Sequence, residues 1–176
     1  MSGIGPISNP LPLDLFVGPL DPEQANTPMA ADNANSAYLY AFQVHSPLSV
    51  SKAYIQAGTQ SGNLDLGIYS SVISAGNIVC TRVASTGSTA WPAGGAGIAF
   101  TAPVTLVPGV RYYAAVAADN TTGQLRGNST FGAMLSVAIG PSQITGARQA
   151  TSFPLPAGPF NLTWISISLH FCVLFG

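Results

Sequence analysis

An all-β, antiparallel fold, a β-sandwich or barrel with an extended N-terminal arm, is what three features of this sequence predict. From Ser36 onward, short runs rich in β-branched and aromatic residues recur between clusters of Gly, Pro, Asn and Ser, the punctuation expected of a sandwich or barrel. Several runs alternate with period two, as half-buried strands do. No helical period persists beyond a turn or two; residues 14–20 are the only place where even a short helix is entertained.

Residues 1–35 are read as the arm and 36–176 as the sandwich domain. The arm carries Pro6, Pro10, Pro12, Pro19, Pro22 and Pro28. Each proline removes a backbone donor and biases its predecessor toward extended geometry. Apolar residues, among them Leu11, Leu13, Leu15, Phe16 and Val17, are interspersed. The arm is therefore expected to lie along its own domain or a neighbouring subunit, not to hang in solvent as a linker.

Within the domain, strands are predicted at 37–45, 48–57, 63–70, 77–84, 96–101, 110–119, 130–138 and 161–175, with weaker ones near 103–106 and 147–151. In the third run Leu64, Leu66 and Ile68 share one face, opposite Asp65 and Gly67. In the sixth, Val110, Tyr112, Ala114, Val116 and Ala118 oppose Arg111, Tyr113 and Asp119. One face is expected to be core and the other wet. In the last run Ile165, Ile167, Leu169, Phe171, Val173 and Phe175 form a stripe too long for a short edge strand. It is expected to be central or covered by another chain. Ser61-Gly62, Ala75-Gly76-Asn77, Pro108-Gly109 and Thr122-Gly123 supply the turn residues.

The charge content narrows function most. Of 176 residues, 47% are hydrophobic and 6% charged, against about 25% charged in ordinary soluble domains. A formal net charge of -1 offers no basic stripe for phosphates, which argues against nucleic-acid binding. No run approaches the about 20 apolar residues of a spanning helix, so membrane insertion is not expected. The first residues lack the cationic and apolar regions of a secretory signal, which points to synthesis in a cytoplasm. Cys80 and Cys172 are expected to be buried free thiols, and the sequons at Asn120, Asn128 and Asn161 then carry little weight.

Catalytic patterns are thin, and the chain is read as a non-enzyme. The six carboxylates lie mostly in the arm or at turns, and Asp119-Asn120 reads as an Asx turn. No Gly-x-Ser-x-Gly elbow occurs. His45 and His170 are isolated, so neither a nucleophile set nor a metal site is indicated. No cofactor is expected. Trp91, in a Gly- and Ser-rich loop, suits a subunit contact, with a sugar platform as the minor reading.

Two segments resemble a known family. Asn63-Leu64-Asp65-Leu66-Gly67-Ile68-Tyr69-Ser70 is followed by Val104-Thr105-Leu106-Val107-Pro108-Gly109-Val110-Arg111-Tyr112-Tyr113-Ala114-Ala115-Val116-Ala117-Ala118-Asp119. This succession is similar to a jelly-roll module of tailed-bacteriophage virion proteins, such as tail-fibre, minor tail and other receptor-facing components. The similarity spans about residues 36–120. It implies a virion part, assembled as a homo-oligomer (trimer or ring) with other virion proteins, in the tail, baseplate or fibre. Head decoration or minor capsid protein is the alternative station, and a carbohydrate-binding module the alternative class. A host-surface glycan is a further partner in view. Leu15, Phe16, Trp91, Phe171, Val173 and Phe175 are the candidate interface or ligand residues.

Overall fold

The computed structural model of the chain describes residues 15–17, 27–31, 33–92, 97–127, 146–149, 152–163 and 173–176, and every regular element among them is a strand. In chain order these are β1 (Leu15–Val17), β2 (Thr27–Ala30), β3 (Ala37–Phe42), β4 (Leu48–Tyr54), β5 (Asn63–Ser74), β6 (Asn77–Ser85), β7 (Thr89–Ala90), β8 (Gly97–Leu106), β9 (Arg111–Ala118), β10 (Gln124–Gly127), β11 (Gly146–Gln149), β12 (Phe160–Asn161) and β13 (Val173–Phe175). The expected all-β sandwich is what forms. One sheet runs β1-β13-β4-β8, and a larger one runs β11-β3-β9-β5-β6-β12 with β7 beside β5. The strands β10 and β2 make a separate ribbon. All strand pairs are antiparallel.

The alternation seen in the sequence builds the main core. Leu64, Leu66 and Ile68 of β5 and Tyr112, Ala114, Val116 and Ala118 of β9 are buried together with Val50, Ala53, Phe100, Leu106 and Phe175. Leu66 lies opposite Val116, and Ile68 opposite Ala114. Burying one such large aliphatic side chain contributes about 1.5–3 kcal/mol.

The opposite face is not wet, which corrects the sequence expectation. Leu39, Asp65, Tyr69, Cys80, Tyr113, Ala115 and Ala117 are fully buried there, in a second cluster closed by Ala147, Leu155 and Leu162. Tyr69 meets Phe160 edge-on, with ring centroids 5.3 Å apart. The cover comes from residues 152–162, far along the chain. Period-two reasoning within β5 could not see it.

Other expectations are refined. Residues 15–17 form a strand where a short helix was entertained, because β13 offers them a partner edge: Leu15 pairs with Phe175 and Val17 with Val173. The arm's second described piece, β2, lies along β10, Met29 opposite Leu125. The run 161–175 has its two described ends in different sheets, β12 on β6 and β13 on β4. The strand expected at 130–138 lies outside the described residues. Two short runs merge into β8 through Pro103, which sits where the ladder to β4 slips from Val50↔Val104 to Lys52↔Ala99. A proline is tolerated at such an irregularity because no ladder donor is needed.

The β5–β6 hairpin turns at Ala75 and Gly76, both with positive φ, 48° and 77°. Two left-handed residues in succession define the type I′ turn, whose twist matches the flanking strands.

Candidate functional site

The candidate residues of the sequence sort into core, strand edge and undescribed. Val173 and Phe175 are fully buried in their own chain; the Phe175 ring lies 6.0 Å from both Phe42 and Phe100. These two side chains fill the main core and are not offered on the surface of this chain. Leu15 and Phe16 pair in the backbone with Phe175 and Leu174. Phe171 lies outside the described residues.

Trp91 is also a core residue, 8% exposed. A Cβ on Gly123 would lie 2.4 Å from its Cζ2, so the glycine is what lets the indole lie against the chain there. Beside it, a cavity of about 10 Å³ is lined by Tyr38, Trp91, Val116, Gly123 and Leu125. At 8% exposure, little of the indole face is open to solvent.

Asp119 and Asn120 hold a turn, as their spacing suggested. The Asn120 Oδ1 accepts from the N–H groups of Thr122 and Gly123, both at 2.8 Å. The Asp119 Oδ2 accepts from the Asn63 N–H at 3.0 Å. These polar atoms are committed to the turn and to β5.

The apolar surface lies elsewhere. Val72 and Ile73, near the tip of the β5–β6 hairpin, are 64% and 65% exposed. The cause is topological: β5 pairs with β9 only as far as Ser71↔Arg111, while it pairs with β6 through Ser74↔Asn77. The last three residues of β5 thus run past β9 as one side of a two-stranded ribbon. An open groove of about 570 Å³ lies at its base, lined by Gln43, Ser71, Val72, Ile73, Val110 and Arg111 among others. Sequence reasoning ended β5 at residue 70 and missed this projection, although Val72 and Ile73 continue the run before Ala75-Gly76.

A buried polar construction centres on Asp65, which sequence reasoning placed on a wet face. Its Oδ1 accepts from the hydroxyls of Ser85 at 2.8 Å and Thr86 at 3.3 Å. Its Oδ2 accepts from the Leu155 N–H at 2.9 Å. The Arg82 guanidinium donates to the Leu155 carbonyl, and the Tyr69 hydroxyl to the Pro156 carbonyl at 2.7 Å. Burial raises the Asp65 carboxyl above the ordinary aspartate range, while these hydrogen bonds and Arg82 oppose the rise. Burial likewise pushes the Cys80 thiol up to about 12. One sequence signal could have flagged the contact. Gly67, within a strand, marks close approach, and a Cβ there would lie 2.7 Å from the Leu155 Cδ1.

Among the described residues no three of His, Cys, Asp or Glu converge as a metal site would need. No protein-family model matches the chain, and no curated protein matches it.

Proposed function

We propose that this chain is a bacteriophage virion structural protein, a tail, baseplate or fibre-associated component that works by assembling with copies of itself and with other virion proteins. The observation that carries this reading is the projecting hairpin tip. Two large aliphatic side chains, Val72 and Ile73, stand in solvent on a chain with 6% charged residues.

A free-standing monomer ordinarily keeps its surface mixed in charge and free of apolar prominences. A subunit that is covered has no such need, and few charges mean few ions to desolvate on contact. The two buried layers make the sandwich a firm support for the ribbon. Burial of Val173, Phe175 and Trp91 moves the proposed contact from the terminal strand and the Trp91 loop to this hairpin. The similarity of residues 36–120 to tailed-phage jelly-roll modules supports the same reading.

The test is localisation. Antibodies raised against the purified chain are expected to decorate intact particles at a defined station along the tail in electron micrographs. Particles that lack the chain, by labelling and by mass spectrometry of their proteins, would overturn the proposal.

A further inference from the structure

Residues 152–162 form a strap across the second core, and the Asp65 carboxyl is its joint. The Ser85 and Thr86 hydroxyls reach it from the end of β6, and the Leu155 N–H reaches it from the strap. The other ties use strap carbonyls: Pro156 accepts from the Tyr69 hydroxyl, Ala157 from the Arg82 N–H at 2.9 Å, and Leu155 from the Arg82 guanidinium. At the strap's far end the Leu162 N–H donates to the Ile78 carbonyl at 2.8 Å.

The strap itself has no ionisable side chain between Ser152 and Leu162. The groups on the buried face around Asp65 are Tyr69 on β5, Arg82 and Cys80 on β6, and Tyr113 on β9. Burial pushes both phenols and the thiol upward, Cys80 and Tyr113 to about 12. Those three stay neutral from acid to mildly alkaline solution. Among the described acidic groups at this joint, Asp65 is therefore the one whose charge changes over that range.

We propose that Asp65 is a pH-responsive latch whose protonation state sets how firmly residues 152–162 close over Tyr69, Ile78 and Cys80. With the strap open, the carboxyl is wet and titrates near the ordinary value of 3.8; with it closed, burial holds the proton more tightly. The sign follows from linkage. Closure is strongest below pH 3.8, weakens as pH rises toward the closed-state value, and is constant above it. Each unit of separation between the two values changes the closure equilibrium about tenfold. Because hydroxyls rotate to donate or accept, Ser85 and Thr86 can serve both the acid and the carboxylate. The response is graded and the joint stays bonded throughout. Opening uncovers an apolar strip, and the device stands whether or not the chain belongs to a virion.

Amide exchange at Leu155, corrected for the intrinsic effect of pH and followed from pH 4 to 8, reads closure directly. Protection in the natural chain is expected to fall with pH, by about tenfold per unit of separation, and to level off. In D65N it is expected to stay flat. A carbon-13 titration of the Asp65 carboxyl, which needs no variant, is expected to show a midpoint above 3.8 that coincides with the fall in protection. Flat or rising protection in the natural chain, the same fall in D65N, or a carboxyl midpoint at or below 3.8 would overturn the latch.

Discussion

At the scale of single residues, burial governs behaviour more than chemical type does. Phe175 is fully buried between Phe42 and Phe100, so Phe175→Ala removes a ring from a close-packed site. It is expected to lower stability by about 3–5 kcal/mol in denaturant titrations. Cys80 is a free, buried thiol whose pKa near 12 leaves almost no thiolate at pH 8. Peptide mapping after treatment with a thiol reagent is expected to find Cys80 unmodified in the native protein and modified after denaturation. Labelling of native Cys80 at the rate of an exposed thiol would contradict the burial.

What the sequence discloses at this scale is which side chains face which way. Leu64, Leu66 and Ile68 share a core face as their spacing requires. What lies over the other face is a different matter, because the partner of Asp65 is Leu155, 90 positions away. An acidic residue at an alternate strand position looks solvated until a distant segment supplies its donor. Trp91 was opaque for a related reason: a loop position says little about burial when Gly123 makes room for the indole.

At the scale of elements, central strands were legible and their continuations were not. The β3, β4, β5, β6 and β9 strands follow from local apolar spacing and turn residues, since both are encoded within a few positions. The short strands β1, β2, β10 and β12 owe their existence to a partner edge: Thr27–Ala30 is extended because Gln124–Gly127 lies beside it. Such pairing has no local signature. The strap tests this level. Gly67→Ala places a methyl 2.7 Å from the Leu155 Cδ1 and 2.8 Å from the Ala84 carbonyl oxygen, and the carbonyl belongs to backbone that cannot step aside. A loss of about 1–3 kcal/mol is expected, with faster exchange at the Leu155 amide than at amides of β9. Unchanged stability would mean that the strap packs less closely than described.

At the scale of the molecule, two properties combine: a two-layered β framework with buried material on both faces of its larger sheet, and a chain with few ionised side chains. The framework explains why the exposed hairpin can hold its shape. Val72 lies opposite Val79 and Ile73 opposite Ile78, which is buried, so the ribbon is anchored on one side while its outer strand stands free. Charge scarcity was plain in the sequence. The location of the contact surface was not, because exposure depends on where β9 stops.

The decisive measurement is the molar mass of the purified chain in solution by sedimentation, taken for the natural sequence and for V72D/I73D together. The natural chain is expected to sediment as a homo-oligomer, and the double variant at the 18.0 kDa of one subunit. Its unfolding free energy is expected to stay within about 0.5 kcal/mol per substitution, as surface changes do. A natural chain that stays at 18.0 kDa at high concentration, or a double variant that assembles as the natural chain does, would contradict the account.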